Sequence, residues 1–201
     1  MTKMLLLPGA GASAAFWRSV ADRLDPARAR HFFAWPGLGD EPHDPNVQGI
    51  DDLVGMVLAE LDEPVDLIAQ SLGGLVALRA ALKMPVRIRR LVLTATSAGI
   101  PMHDLGAADW RADYRREFPN AAAWITEDVK SREDVSSQLR SVRAPSLLIW
   151  GDADCISPPS VGRRLHQLLP DSRLYIVRGG AHDLALTHAA EIAPLIVDHL
   201  R

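Results

Sequence analysis

The run Val65-Asp66-Leu67-Ile68-Ala69-Gln70-Ser71-Leu72-Gly73-Gly74-Leu75-Val76-Ala77-Leu78 passes from one periodicity to another across a single short hinge. Val65 to Ala69 is an aliphatic run that predicts a core strand. Gly73 to Met84, rich in Ala and Leu at helical spacing, predicts a packed helix. Ser71 stands at the turn between them. A serine at such a hinge is held above the carboxyl end of the strand with its hydroxyl exposed, and the Leu72 amide points where an oxyanion would form. The plain alternative is a serine that caps the N-terminus of a buried helix. The rest of the chain has to choose.

Strands and helices alternate on both sides of this hinge. Met4 to Leu7 is wholly apolar, as a parallel strand buried on both faces should be. Phe16, Trp17, Val20, Ala21 and Leu24 mark an amphipathic helix from Phe16 to Leu24, which Pro26 stops. His31 to Trp35 reads as the second strand. The segment from Pro36 to Pro42 is a loop, because its prolines and glycines leave nothing regular to form. A helix is expected over Ile50 to Leu61. Beyond the hinge, strands are expected at Arg90–Thr94, Pro145–Trp150 and Arg173–Val177, with helices at Ser160–Leu169 and Leu184–Leu200. Such alternation implies right-handed crossovers. The expected fold is therefore a three-layer, doubly wound α/β domain, with a mostly parallel six-stranded sheet and helices on both faces.

One interval breaks the rhythm. Between Ser97 and Val142 no strand pattern occurs, and helical patterns run around Asp104–Phe118 and Asn120–Val129. A connection this long predicts a small helical lid, residues 97–142, inserted in a single domain spanning 1–201. Its aromatics Trp110, Tyr114, Phe118 and Trp124 either wall a pocket or pack the lid on the body, with about half expected to face the pocket.

Composition narrows the function. A chain of 201 residues that is 48% hydrophobic has the material for one core. A formal charge of −3 without an extended Lys/Arg run argues against a nucleic-acid surface and toward a small-molecule partner. The one cysteine, Cys155, excludes an intramolecular disulfide and is read as a small buried hydrophobe, compatible with a reducing cytosol. The first residues superficially mimic a signal peptide, but Pro8 interrupts an apolar run that is already too short. No stretch approaches the roughly 20 apolar residues of a membrane span. A cytoplasmic protein is expected, with no cofactor and no metal, since no cluster of ligands appears; oligomeric state is not legible.

Four further segments join the hinge. Trp150-Gly151-Asp152-Ala153-Asp154-Cys155-Ile156-Ser157-Pro158 follows the fifth strand, and Arg178-Gly179-Gly180-Ala181-His182-Asp183 follows the sixth. Pro8-Gly9-Ala10-Gly11 follows the first, and Pro36-Gly37-Leu38-Gly39 the second. Together with Ala69-Gln70-Ser71-Leu72-Gly73, these resemble the α/β-hydrolase superfamily across nearly the whole chain. Ala69 replaces the first glycine of its G-x-S-x-G elbow, a change of one methyl. Asp154 holds the fourth position of a G-x-x-D-x-x-x-P acid loop, and Pro8 stands where histidine is common in an H-G-x-G segment. Members commonly open with an antiparallel hairpin that this chain lacks, which implies a compact form with a shortened sheet edge.

The resemblance implies Ser71 as nucleophile, His182 as base and Asp154 as the acid that orients it, in the chain order of the fold. It also implies the amides of Leu72 and Ala10 as oxyanion donors. If the superfamily's sheet order holds, one strand separates those of Ser71 and Asp154, and their ends lie about 10 Å apart, a gap that an imidazole bridges. Other readings stay open. Asp152 is the second candidate acid, and an Asp there can simply cap the helix near Ser160. Gly9–Gly11 can be a plain turn, but not a dinucleotide fingerprint, which would need glycine at Ala14. His31, His43, His103, His166, His188 and His199 lack the context of His182 and are expected to be solvated or structural. The implied activity is a serine hydrolase that cleaves an ester, thioester or lactone through an acyl-enzyme. Serine at the elbow speaks against the carboxylate-nucleophile chemistry of haloalkane dehalogenases and epoxide hydrolases. Carbon–carbon bond hydrolysis, a lyase, or a catalytically silent binding protein are the alternatives.

Overall fold

A computed structural model describes residues 2–127 and 134–201. Six strands, β1 (Met4–Leu7), β2 (Arg30–Phe32), β3 (Val65–Gln70), β4 (Ile88–Thr94), β5 (Ser146–Gly151) and β6 (Ser172–Val177), form one sheet in the order β2-β1-β3-β4-β5-β6. Every pairing is parallel. Side chains alternate between the faces and so feed two cores. Leu5, Leu7, Leu67, Leu91, Leu93 and Trp150 pack on one side with α2 (Ile50–Leu58), α3 (Leu72–Lys83) and α5 (Pro159–Leu168). Met4, Leu6, Ile68, Val92 and Ile149 pack on the other with α1 (Arg18–Ala21), α6 (Leu184–Thr187) and α7 (Ala189–His199). This is the three-layer, doubly wound arrangement that the alternation implies.

The first and the last helix of the chain depart from the sequence expectation. The first shrinks to Arg18–Ala21, with Phe16 N–H bonded to the Ser13 carbonyl and Leu24 N–H to the Ala21 carbonyl as tighter turns at either end. Its apolar positions are buried all the same, so packing rather than helix length was the real signal. The C-terminal helix breaks at His188, whose φ of −119° and ψ of 25° leave the helical region between α6 and α7.

The connection from β4 to β5 holds α4 (Arg111–Glu117) and short 3₁₀ turns at Ala123–Ile125 and Leu139–Ser141. The expected helix from Asp104 is shorter because Gly106 sits at φ 78° ahead of it. The end of the second helical pattern, Asp128–Val129, lies outside the described residues. The connection is tied at both flanks. Ala122 N–H donates to the Gly37 carbonyl (2.7 Å), and Ala108 N–H to that of Cys155 (2.8 Å).

Opposite these loops, at the amino ends of the strands, Asp66 is fully buried and accepts from both Arg28 and Arg89. Arg28 also binds the Thr2 carbonyl, and Arg89 that of Leu200, so this cluster fastens both ends of the chain to β3.

Candidate active site

β3 ends against β4, where Ser71 N–H donates to the Thr94 carbonyl (3.0 Å), and α3 starts at the next residue. The reversal is sharp enough to put Ser71 at φ 51° and ψ −118°, a region that costs a non-glycine residue on the order of 1–3 kcal/mol. The surrounding hydrogen bonds hold it there. The Ser71 carbonyl accepts from Thr96 Oγ1 (2.6 Å) and from Gly74 N–H (3.0 Å). Gly73 is required by space: a Cβ there would lie 2.5 Å from the Leu7 carbonyl oxygen and 2.6 Å from that of Pro8. The strand–loop backbone after β1 thus lies directly over the first turn of α3.

The loops after β5 and β6 are sewn together. Ala153 N–H donates to the Gly180 carbonyl (3.0 Å), and Gly179 N–H donates to Asp152 Oδ1 (2.6 Å). Gly179 sits at φ 72°, which lets the chain turn back toward the sheet. Gly151 packs so closely on Gly180 that a Cβ would lie 1.9 Å from its carbonyl oxygen. His182 emerges from this seam. Its Nδ1 is 2.8 Å from Asp154 Oδ2 and its Nε2 is 3.1 Å from Ser71 Oγ. One strand, β4, separates the two that carry Ser71 and Asp154, and the imidazole spans the gap.

Asp154 is 3% exposed. Its second oxygen, Oδ1, accepts the N–H groups of Ile156 (2.8 Å) and Ser157 (2.9 Å). An ionised carboxylate only accepts, so its contact with His182 requires the proton on Nδ1, and a neutral imidazole then offers a bare Nε2 to the Ser71 hydroxyl. The three side chains form one directed line: Ser71 O–H to Nε2, then Nδ1–H to carboxylate. Asp152 faces the other way and braces the His182 loop.

Ser71 and His182 open into a cavity of about 880 Å³ that Gly9, Ala10, Gly11 and Leu72 also line. Neither the Ala10 nor the Leu72 amide is taken by a protein acceptor among the described residues. The Leu72 amide, at the first position of α3, also carries the positive end of the helix dipole. Trp110, Tyr114 and Phe118 form part of the wall with Leu75, Met102 and Ile125, whereas Trp124 does not, so three of the four aromatics face the cavity. Cys155 corrects an expectation. It is exposed and lines the cavity, because the Asx turn made by Asp154 lifts it out of the core. Among the described residues no group of three or more His, Cys, Asp or Glu side chains is placed to hold a metal ion.

Sequence reasoning did not single out Gln70, Thr96 or the hydroxyl of Tyr114. Gln70 is 4% exposed; its Nε2 donates to the His182 carbonyl (3.2 Å) while its Oε1 lies against Gly9. A large polar residue directly before Ser71, after the apolar run Leu67–Ala69, was the available signal. Thr96 and Tyr114 offered none, since their partners lie 25 and 104 residues away.

Comparison with known proteins bears on family and fold. The family model described as "Alpha/beta hydrolase family" matches residues 4–195. The pimeloyl-[acyl-carrier protein] methyl ester esterase of Neisseria meningitidis serogroup C is 30% identical over 237 aligned positions, covering 98% of this chain and 92% of that protein. The enzyme of that name from Yersinia enterocolitica is 24% identical, covering 97% and 92%. Among solved structures, a meta-cleavage product hydrolase from Pseudomonas fluorescens superposes with a TM-score of 0.80 at 17% identity, covering 100% of this chain and 90% of that one. A bromoperoxidase from Bacillus anthracis does so with a TM-score of 0.81 at 20% identity, covering 100% and 92%. The structural likenesses speak to fold alone.

Proposed function

Because the chain belongs to the alpha/beta hydrolase family, we propose that it is a serine hydrolase cleaving a carboxylic ester of a small, partly apolar substrate through an acyl-enzyme. The observation that carries this reading is the hydrogen-bonded line from Ser71 through His182 to Asp154, opening into a cavity beside two unoccupied backbone amides. The relatives at 30% identity, named as methyl ester esterases, favour ester cleavage over carbon–carbon cleavage.

In this reading His182 Nε2 takes the Ser71 proton as Oγ adds to the ester carbonyl carbon. The developing oxyanion is received by the N–H groups of Leu72 and Ala10. Asp154 holds the imidazole in the reactive tautomer and stabilises the imidazolium. Collapse of the tetrahedral intermediate breaks the bond to the alkoxy oxygen, which leaves as alcohol with the proton from His182. Water, deprotonated by the same imidazole, then hydrolyses the acyl-Ser71 ester.

The segment 97–142 acts as a lid in this proposal, since Tyr114 of α4 and its flanking residues Trp110 and Phe118 wall the cavity, and hydrogen bonds from Tyr114, Ala108 and Ala122 join the segment to the body. Among the described residues, the carboxylates Asp109, Asp113, Glu117 and Asp183 line the cavity, and no Lys or Arg does. Arg111 and Arg116 pair with Asp109 and Asp113 and offset part of that field. A neutral or cationic ester therefore suits the mouth better than one bearing a free carboxylate. No helix among the described residues is long and apolar enough to cross a membrane, and a cytoplasmic location is part of the proposal.

Intact mass after exposure to a fluorophosphonate tests the core of it. A single adduct on the wild type that is absent from Ser71→Ala, together with hydrolysis of neutral acyl esters, is the expected result. A folded wild type that neither labels nor hydrolyses any ester in a panel of graded acyl length would overturn it.

A further inference from the structure

α4 reaches the catalytic end of the sheet through one hydroxyl. Tyr114 is buried, and its Oη accepts the Gly39 N–H (2.9 Å) and donates to the Ala10 carbonyl (3.0 Å). Because an N–H already fills the acceptor side, the phenolic hydrogen goes to the carbonyl. The polarity of the chain is thus set, from Gly39 N–H through Tyr114 O–H to Ala10 C=O. Each bond polarises the other.

The peptide that Tyr114 holds is one with a choice. Ala10 and Gly11 are the central residues of a turn closed by Ala12 N–H on the Gly9 carbonyl (3.3 Å). The middle peptide of such a turn has two orientations related by a flip, and the second demands positive φ at its third residue, which glycine supplies freely. Gly11 has negative φ here, in contrast to Gly37 and Gly39. The turn's own sequence gives no reason for that preference. The Tyr114 hydroxyl does, and the ring of Phe118, the residue that ends this helix, lies on Gly11, where a Cβ would come within 2.8 Å of its Cε2.

We infer that Tyr114 is a positioning residue for the oxyanion site: its hydroxyl holds the Ala10–Gly11 peptide in one of two orientations, and so couples the docking of α4 to the readiness of the Ala10 donor. The inference rests on the reading that the Ala10 backbone receives the oxyanion. A flip exchanges a carbonyl oxygen and an N–H beside that donor, so the field met by a developing negative charge changes sign at one peptide. Ground-state binding depends on the aromatic walls and is untouched.

The test compares wild type with Tyr114→Phe, with rates normalised to Ser71 sites titrated by a fluorophosphonate, so that any titratable fraction suffices. Expected is a fall in kcat of about 10- to 100-fold, below the loss seen when an oxyanion donor is removed outright, with KM changed by no more than about twofold. The Ki of a trifluoromethyl ketone, which forms a hemiketal oxyanion with Ser71, should rise by the same factor as kcat/KM falls. An unchanged kcat and Ki, or a raised KM at unchanged kcat, would overturn the inference while leaving the hydrolase reading standing. A wild type that neither labels nor turns over would overturn both.

Discussion

Asp154→Asn should abolish activity more completely than Asp154→Ala, although it is the gentler change to the fold. Two N–H groups, that of the half-buried Ile156 and that of the buried Ser157, converge on Oδ1, and His182 Nδ1 lies 2.8 Å from Oδ2. Asparagine has one acceptor oxygen and one NH₂ donor. Its oxygen must take the Oδ1 place, because an NH₂ there would face two donors and leave both unsatisfied. The NH₂ then faces Nδ1. The imidazole answers by moving its proton to Nε2, which now presents a donor to Ser71 Oγ and has no lone pair left to accept the proton.

A wrong tautomer of this kind costs about 10⁴-fold in kcat, or about 5.4 kcal/mol of barrier. Alanine leaves the imidazole free to choose its tautomer, so more activity survives. It also strands the two amides, which costs about 1–3 kcal/mol of stability. The two variants should therefore cross, with Asn the more stable and Ala the more active. Asp152→Asn is the comparator: its carbonyl can still accept the Gly179 N–H, so activity should stay within about threefold of wild type. Initial rates on a p-nitrophenyl ester, read beside melting temperature, decide the matter. Asp154→Asn within a hundredfold of wild type, or Asp152→Asn as the more damaging change, would refute the reasoning.

Two further perturbations probe what holds the site. In Gly74→Ala the new Cβ would lie 2.6 Å from the Thr96 side chain, whose hydroxyl holds the Ser71 carbonyl; a loss of about 1–3 kcal/mol is expected in thermal or denaturant unfolding, and an unchanged transition would rule out the close packing. His199 donates from Nε2 to the Leu91 carbonyl, and burial pushes its pKa below the ordinary value. The unfolded chain takes up a proton near pH 6.5 that the folded protein refuses, so stability present above that pH declines as pH falls from there toward the lower folded value. His199→Gln cannot titrate and should flatten that part of the curve of melting temperature against pH; parallel curves for the two proteins would remove His199 as its cause.

Much of the site was legible because the determinants are short-range or ordinal. The β3–Ser71–α3 hinge shows in fourteen residues, since a short aliphatic run gives way to a period of 3.6 around a small-residue turn. Gly151 and Gly179 announce tight backbone at the ends of β5 and β6. What failed to show is equally particular. Cys155 reads as a core residue by composition, yet it is carried outward by a turn that depends on which Asp154 oxygen its neighbours bind. Asp152 and Asp154 are two positions apart and chemically identical on paper; their different duties come from the direction each faces across the seam with Gly179 and His182.

The sequence by itself determined the alternation of strands and helices, the sharp hinge that carries Ser71 between β3 and α3, and the chain order of that serine, an acidic loop after β5 and His182, because hydrophobic pattern, turn chemistry and chain order are properties of neighbouring residues. Only the tertiary structure decided which carboxylate meets the imidazole, that Gln70 donates to the His182 carbonyl, and that Tyr114 bonds a peptide 104 residues away. Those contacts close through space across the carboxyl ends of the sheet, where the direction of a side chain depends on the packing of strands and loops that no local pattern encodes.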